Sequence, residues 1–446
     1  MRAYFTLLFF LSITATFAQL VSGPMLGQIE LRTAKIWVEV KPGTTVHCRY
    51  WKKGNTSSAQ NVYQSTNKET WYAPVTFDLV GLDINTTYEY QIQTGTAQKV
   101  VKATGEFTTK DLWQYRKPVP DFTFLTGSCA YFNEPVYDRP GAPYGKDSSI
   151  FEAMAKEQAA FMIWLGDNWY LREVDFSSEW GIWYRAHRDR SHPILQGFLK
   201  SMPQIAIWDD HDFGPNDSDK SFHLKEISRK VFLQYWANAS AGEGGEGIYT
   251  KFSYGDVDFF LMDDRYFRSP DDMQTLIDGN PNPMKRMWGP KQMEWLKSAL
   301  RFSRAPFKII VTGSQTLNVV SPFNCLQAYP IEFEEFMAFI NLEKIGGIVF
   351  LTGDRHHSEV VKYDRTNNYT LYDITSSPLT SAVGRVGGKE KDNPSRIAGT
   401  LVEDQNYSRI TVSGKPNERT LTVEFMGAKG GKLATWSVRE TDLRSK

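Results

Sequence analysis

The 446-residue chain is poor in cysteine and histidine, carries no excess of either charge and contains no repeat of fixed period. Lys and Arg together number 51, and so do Asp and Glu, which gives a formal net charge of +0. Composition therefore gives no support to binding of nucleic acid or an anionic membrane by net charge. Beyond the N-terminal region, no run approaches the roughly 20 apolar residues that a membrane-spanning helix needs. We predict neither specific nucleic-acid binding nor a transmembrane segment.

The three cysteines cannot all form disulfide bonds within the chain, because their number is odd. Cys129 follows an apolar run and is the one that we expect to stay unpaired. Cys48 and Cys325 either pair with each other or are buried separately, and the sequence leaves both possibilities open.

The first 18 residues have the composition of a secretory signal peptide. Met1 and Arg2 form a short positive region, the run from Phe5 to Ala18 is almost wholly apolar, and Gln19 ends it. Small residues before position 19 are typical of a cleavage site. We expect residues 1–18 to be removed and the mature protein to be secreted or periplasmic.

Residues 19–110 predict a small all-β domain. Segments with alternating apolar and polar residues occur at 34–40, 45–51 and 88–92, with turn-forming residues between them. The stretch from Leu82 to Tyr90 resembles the tyrosine-corner segment of fibronectin type III sandwiches, with Ile84 where Pro is common. A charged stretch with two prolines then leads to a second domain, which we expect to span residues 119–446.

The second domain predicts a layered α/β or α+β fold. Strand-like apolar segments alternate with helical patterns at 149–158, 220–237 and 291–301. After Asp354 the pattern returns to strands, at 369–374, 408–412 and 421–425. We expect these late strands to complete a second sheet. A chain of 446 residues also favours two domains over one.

Six apolar, strand-like runs of the second domain end in residues that could bind a metal ion or a substrate. The runs are 122–126, 161–165, 205–208, 258–262, 307–312 and 348–352. The residues that follow them include Cys129, Asp167, Tyr170, Asp210, His211, Arg265, Gln315, Asp354 and His356. One such junction would be an ordinary turn. Six of them predict a shared active site, because layered α/β sheets bind ligands at the carboxyl ends of their strands.

Four of these residues favour iron. Thiolate, carboxylate, phenolate and imidazole ligands are offered by Cys129, Asp167, Tyr170 and His356. Thiolate suits iron or zinc rather than calcium or magnesium. A tyrosine hydroxyl, with a pKa near 10 in water, becomes an anionic ligand only beside a strong Lewis acid. Since phenolate and thiolate both stabilise a higher charge, ferric iron is the metal that this set suggests.

A second set favours a hard cation. Asp210, Gln315 and Asp354 offer only oxygen, which selects calcium, magnesium or manganese. Asp167 has a second carboxylate oxygen with which it could bridge the two metals. The residues therefore predict two metals of different kinds in one site.

Two more residues are candidates for contact with substrate. His211 directly follows Asp210 and could hydrogen-bond a phosphate oxygen or protonate a leaving group. Arg265 ends a strand on the same side, and its guanidinium matches phosphate oxygens in shape and charge. The alternative for Arg265 is a salt bridge to Asp263 or Asp264.

The motifs Gly-Ser-Cys129, Gly-Asp167-x-x-Tyr170, Trp-Asp-Asp210-His211-Asp and Gly-Asp354-x-His356 resemble those of the PhoD-type alkaline phosphatases and phosphodiesterases. These enzymes are calcineurin-like metallophosphoesterases and distant relatives of the purple acid phosphatases. The resemblance covers most of the chain, including the predicted β-sandwich, and implies a catalytic sandwich of two sheets flanked by helices.

The resemblance also implies a ligand set. Iron would be held by Cys129, Asp167, Tyr170 and His356. Calcium would be held by Asp167, Asp210, Asp354 and Gln315, with a further calcium near Asn216.

Taken together, these observations predict a secreted hydrolase that releases phosphate from small phosphomonoesters, phosphodiesters or both, through attack by a metal-activated hydroxide. Two alternatives stay open. One is a phospholipase D-like or nucleotide phosphodiesterase on the same scaffold, and the other is a cell-surface binding protein with an inert metal domain. The sequence does not indicate the natural substrate, the number of calcium ions or the oligomeric state.

Overall fold

The structure of the protein is a computed structural model that describes residues 19–94, 101–321 and 325–445. The predicted signal peptide, residues 1–18, lies outside the described residues. No helix in the described part of the chain is long and apolar enough to cross a bilayer.

The N-terminal region forms two facing antiparallel sheets of seven strands. The strands are β1 (Leu20–Ile29), β2 (Thr33–Val40), β3 (Thr45–Lys52), β4 (Gln60–Ser65), β5 (Ala73–Val80), β6 (Thr87–Thr94) and β7 (Val101–Thr108). One sheet has the order β1–β2–β5 and the other β4–β3–β6–β7. In β6 every second residue is buried, which is the pattern of a strand with one face on a core. The Tyr88 hydroxyl accepts a hydrogen bond from the backbone N–H of Asp83 at 2.9 Å, so the predicted tyrosine corner is confirmed.

In the following region, the described residues form 14 further strands. They are β8 (Phe122–Gly127), β9 (Met162–Leu165), β10 (Gln204–Ile207), β11 (Thr250–Tyr254), β12 (Val257–Leu261), β13 (Leu276–Ile277), β14 (Asn280–Pro281), β15 (Phe307–Val311), β16 (Ile348–Thr352), β17 (Glu359–Tyr363), β18 (Leu371–Thr375), β19 (Asn406–Ser413), β20 (Thr420–Gly427) and β21 (Lys432–Arg439). Two six-stranded sheets result, with the orders β10–β9–β8–β19–β20–β21 and β11–β12–β15–β16–β18–β17. The predicted fold class, two layered sheets with helices after an all-β domain, is confirmed. The late strands divide between both sheets.

The part of this region that the structure describes also contains seven α-helices. They are α1 (Ile150–Met154), α2 (Glu179–Arg190), α3 (Pro193–Ser201), α4 (Asp210–Phe213), α5 (Lys225–Tyr235), α6 (Gly289–Phe302) and α7 (Pro330–Leu342). The predicted helices at 220–237 and 291–301 correspond to α5 and α6, whereas α1 is shorter than its predicted range of 149–158. Helices α2, α3, α4 and α7 were not predicted.

The N-terminal sandwich packs against helices of the following region. Met25 and Trp37 belong to the large hydrophobic core rather than to the core of the sandwich. The Trp37 indole N–H donates to the backbone carbonyl of Gln234 at 2.8 Å. The buried carboxylate of Glu39 accepts from the Tyr235 hydroxyl at 3.1 Å. The sandwich therefore covers part of the apolar surface of α5.

All three cysteines are buried and free. Cys48 lies in the core of the N-terminal sandwich, whereas Cys325 follows β15 in the second region. The sequence left open whether Cys48 and Cys325 pair or are buried separately. In the structure they are buried separately.

Candidate metal centre

The parallel strands of both sheets bring the polar junctions to one edge. In the first sheet β8, β9 and β10 are parallel, and in the second β12, β15 and β16 are parallel. Each of these six strands ends directly before one of the six polar segments. The carboxyl ends of parallel strands lie on the same side of a sheet, which explains how residues far apart in sequence meet.

Three glycines let the strand-end loops approach closely. A Cβ atom on Gly166 would lie 2.6 Å from Cβ of Asp209, and one on Gly313 would lie 2.6 Å from Cγ of the same residue. A Cβ on Gly353 would lie 2.7 Å from Cβ of Ser128. Real Cβ atoms essentially never come this close to another heavy atom. A side chain at Gly313 or Gly353 would push the two sheets apart at the site, and one at Gly166 would separate the loops after β9 and β10.

Four of the predicted ligands have an unusual backbone conformation. The φ angles of Cys129, Asp167, Asp354 and His356 are +62°, +52°, +68° and +56°. Residues other than glycine seldom adopt positive φ, and such residues cluster at functional sites, where the surrounding structure holds them in place. Here, for example, the carbonyl of Asp167 accepts from the N–H of Ala130 at 2.8 Å. The strain turns these side chains towards one another.

The four residues predicted to bind iron are brought together. Ligand atoms of Cys129, Asp167 and His356 lie within 4.8 Å of one another. The Tyr170 hydroxyl is 3.0 Å from Oδ2 of Asp167 and 3.3 Å from Nε2 of His356. Nδ1 of His356 lies 2.8 Å from the carbonyl of Ala382, and this contact turns Nε2 towards the cluster.

Asp167 also belongs to a second cluster. Ligand atoms of Asp167, Asp210 and His211 lie within 4.8 Å of one another. Oδ2 of Asp210 accepts from the N–H of Asp217 at 2.7 Å, whereas buried Oδ1 has no hydrogen-bond partner among the described residues. An orphaned, buried carboxylate oxygen needs a cation or a donor. Asp167 thus lies where it can contact two metal ions at once.

The charges of the cluster fit bound cations. Burial, reinforced by the neighbouring Cys129 and Asp210, raises the pKa of Asp167 well above its ordinary value. Burial likewise raises the pKa of the Cys129 thiol to about 12 and that of Tyr170 well above 10. Buried acids that repel one another stay protonated unless positive charge offsets the repulsion. A cation would supply that charge, so the donor set fits a metal ion.

Asp354 and Asn216 lie at the margins of this cluster. Burial raises the pKa of Asp354, and the Asp210 carboxylate adds to that increase. Asn216 is exposed, and its amide donates to Asp217 at 2.5 Å. It lines the same pocket as Tyr170 and His211.

Gln315 takes part in a separate buried network. Its amide nitrogen donates to Glu359 at 3.0 Å and to the Thr375 hydroxyl at 2.9 Å. Its amide oxygen accepts from Asn318 at 2.9 Å. The contacts in the described residues therefore connect Gln315 to β17 and β18 and not to Asp167.

Arg265 is fully buried and lies behind the cluster. Its Nε donates to Oδ1 of Asp209 at 2.5 Å, and its Nη2 is 4.0 Å from Oδ1 of Asp210. Nη2 also donates to the Ser314 hydroxyl at 3.3 Å. The expectation that Arg265 contacts phosphate does not match this geometry. The expected alternative, an ion pair with Asp263 or Asp264, names the wrong partner, because the pair forms with Asp209.

His211 faces the pocket. Its ring lies 4.1 Å from the ring of Tyr170, centroid to centroid. Its backbone N–H points to Oδ1 of Asp167 at 3.4 Å. Nδ1 has no hydrogen-bond partner among the described residues, and the residue lines a pocket of about 780 Å³.

Sequence reasoning missed one positioning residue and one residue of the pocket. Asp212 accepts from the N–H groups of Asn168 at 2.9 Å and Asp209 at 3.0 Å, which ties the loop after β9 to that after β10. Its position in the polar run 209–212 could have identified it from the sequence as part of the site. Tyr144 lies 3.2 Å from Nδ1 of His356. It comes from a Pro-rich loop in which nothing marks it as part of a site.

Comparisons with known proteins agree with this geometry. The PhoD-like phosphatase family matches residues 124–428, and a family described as Domain of unknown function (DUF7800) matches residues 17–111. Alkaline phosphatase D of Bacillus subtilis (strain 168) is 25% identical over 352 residues, covering 68% of this chain and 55% of that protein. The chain therefore spans about half the length of this curated relative. The resemblance inferred from the motifs is confirmed.

Two solved structures share the fold. A structure of PhoD matches with a TM-score of 0.74 at 19% identity, over 94% of this chain and 91% of that chain. A purple acid phosphatase from yellow lupin (Lupinus luteus) seeds matches with a TM-score of 0.66 at 11% identity, over 93% of this chain and 74% of that chain. At such identities the likeness concerns architecture.

Proposed function

Because this chain belongs to the PhoD-like phosphatase family, we propose that it hydrolyses small phosphoesters with the help of bound metal ions. The observation that carries the proposal is the convergence of Cys129, Asp167, Tyr170 and His356 with Asp210 at the edge of two sheets. Such a set of buried acids is unfavourable without cations. Its presence argues against a binding protein with an inert metal domain.

We assign ferric iron to Cys129, Asp167, Tyr170 and His356. The thiol and the phenol carry the assignment, since magnesium and calcium prefer oxygen ligands that need no thiolate. We assign calcium, or another hard cation such as magnesium or manganese, to Asp167, Asp210 and Asp354. Asn216 stays a candidate for a further calcium, because it lies on the same pocket and offers an amide oxygen. Gln315 is left out of the set because its oxygen already accepts from Asn318.

Metal ions held in this way would lower the pKa of a water nucleophile and neutralise charge on the phosphate. The protein residues have separate tasks. Asp167 fixes the relative position of the two sites. His211 faces the pocket with an unpaired ring nitrogen and would hydrogen-bond a phosphate oxygen or transfer a proton to the leaving alcohol. Arg265 holds Asp209 and acts through it, without contact with substrate.

The test is hydrolysis by the full metal-loaded chain. We expect release of 4-nitrophenol from 4-nitrophenyl phosphate, from bis(4-nitrophenyl) phosphate or from both. Asp167→Asn should lower kcat/KM at least about 100-fold, because loss of even an outer-shell partner of a metal ligand can cost that much. Asp272→Asn, which removes an exposed carboxylate elsewhere, should behave as the unmodified protein. If the metal-loaded protein hydrolyses neither ester, the proposed function is wrong. If Asp167→Asn retains full activity, the assigned site is wrong.

A further inference from the structure

The mouth of the active-site pocket carries exposed apolar side chains. Among the described residues, 17 large hydrophobic side chains are exposed, and five of them lie in the short segments 136–144 and 174–180. They are Val136 (82% exposed), Tyr137 (43%), Tyr144 (38%), Val174 (52%) and Trp180 (46%). Three of the five, Val136, Tyr137 and Tyr144, line the same pocket as Tyr170 and His211. Exposed apolar side chains are ordinary when scattered, but a group of them that lines a pocket indicates a binding surface.

Two polar contacts join these segments into one rim. Arg139 pairs with Glu173 at 2.9 Å across the pocket mouth. Glu134 accepts from the Tyr184 hydroxyl at 2.5 Å, and the Tyr184 ring stacks on Trp180 with centroids 5.0 Å apart. We call the pocket-lining residues 135–144, together with Glu173 and Phe176, the apolar rim.

The rim is anchored directly to the candidate metal centre. Arg172, two residues after Tyr170, donates to Asp138 at 3.0 Å and to the carbonyl of Phe132 at 2.9 Å. Its guanidinium also lies 3.8 Å from the ring centroid of Tyr131. Asp138 accepts from the Tyr131 hydroxyl at 2.7 Å. These buried contacts fix one end of the rim and make the surface largely preformed.

Tyr144 connects the rim to the cluster. Its hydroxyl lies 3.2 Å from Nδ1 of His356, and its ring packs edge-on against Tyr131 with centroids 4.8 Å apart. One pocket is thus lined by Tyr170 and His211 as well as by Val136 and Tyr137. A phosphoryl group at the metal end would direct its ester substituent along this wall.

We propose that the apolar rim is the subsite for the alcohol portion of the substrate and that it selects phosphoesters of alcohols with a large apolar or aromatic group. This inference rests on the proposed phosphoesterase function and names its substrate class. The charged pair Arg139–Glu173 also lines the pocket but is largely exposed to solvent, whereas Val136, Tyr137 and Tyr144 offer apolar surface to the substrate. A compact, strongly polar alcohol such as glycerol would gain little from that wall.

The experiment measures binding of methylphosphonate and butylphosphonate to the metal-loaded full chain by titration calorimetry. These compounds present the same charged group, are not hydrolysed and differ only in three methylene groups. Burial of one methylene strengthens binding by up to about fourfold. We expect butylphosphonate to bind at least about tenfold more tightly, with a more negative heat-capacity change.

The double variant Val136→Ser/Tyr137→Ser should bring the ratio of the two dissociation constants towards one. Both positions are exposed, so the substitutions should leave the core intact. Leu276→Ser/Ile277→Ser is the matched control, because it removes two exposed apolar side chains from the β13–β14 hairpin and should leave the ratio unchanged.

Equal binding of the two phosphonates by the unmodified protein would overturn the subsite, and so would an unchanged ratio in the rim variant. Neither result would contradict the proposed hydrolysis of the nitrophenyl esters. Failure to hydrolyse either of those esters would instead overturn the function on which the subsite rests.

Discussion

Asp167 is the residue on which both halves of the metal centre depend. One of its oxygens lies 3.0 Å from the Tyr170 hydroxyl, and the other faces the backbone N–H of His211 at 3.4 Å. Its positive φ orients the carboxylate towards both clusters. Because it is buried beside other acids, its ionised form is unfavourable until cations compensate for the charge. Folding and metal binding are therefore coupled at this position.

Arg265 is predicted to matter for stability more than for contact with substrate. Arg265→Gln leaves the buried carboxylate of Asp209 without its charged partner, and such losses cost about 3–5 kcal/mol. Arg301→Gln, which breaks an exposed pair with Glu343, should leave the unfolding free energy nearly unchanged, because exposed ion pairs contribute little to stability. Denaturant unfolding of the two variants gives the comparison. Suppose that Arg265→Gln has the same unfolding free energy as the unmodified protein but turns over substrate more slowly. That result would indicate that Arg265 contacts the phosphate.

The ligand residues could be predicted from sequence because their chemistry is rare and their position after apolar strands is regular. Burial could not be predicted in the same way. Arg265 and His211 both follow such strands, yet one is sealed behind Asp209 and the other faces the pocket. Gln315 likewise ends a strand, but its partners Glu359 and Thr375 come from strands that the sequence did not connect to it.

At the level of secondary structure, the sheets are positioned by close approaches that only glycine permits. Gly313→Ala should destabilise the protein and lower its metal content, because the new Cβ would lie 2.6 Å from Cγ of Asp209. We expect a loss of roughly 1–3 kcal/mol, as for overpacked cores. Gly197→Ala in α3 is the control, since no atom lies within 4 Å of its added Cβ.

The control should be neutral or stabilise the protein by up to about 1 kcal/mol, because alanine favours the helix. Thermal unfolding and metal analysis of the two variants are the measurements. If Gly313→Ala is as stable as Gly197→Ala and holds the same metal, the close approach of the two sheets does not shape the site.

Strands were easier to predict than helices, and α7 shows why. Besides the apolar face of Phe336 and Ile340, it carries an exposed Leu342 on the far side of the helix, which weakens the helical period of its sequence. Its Glu332 accepts from the N–H groups of Met287, Trp288 and Gly289 at 2.6–2.8 Å, a contact across more than 40 residues. No local pattern encodes such a partner.

On the scale of the whole molecule, the N-terminal sandwich supports the catalytic region without contributing any of the assigned ligands. We expect a shortened protein of residues 119–446 to hold the metals but to unfold more easily, because it loses Met25 and Trp37 from the large core. Loss of two such buried side chains costs several kcal/mol. The isolated sandwich should bind no iron and hydrolyse neither ester.

The comparison requires iron content, hydrolysis rate and unfolding free energy of the shortened protein beside the full chain. A soluble, folded 119–446 protein with neither metal nor activity would show that the sandwich contributes directly to the site.

The central claim is that one buried cluster holds two metals of different kinds. Elemental analysis of the purified, active full chain tests it most directly. The ligand preferences predict about one iron and at least one calcium-type ion per chain. Zinc as the sole metal, or active protein without bound metal, would contradict the assignment.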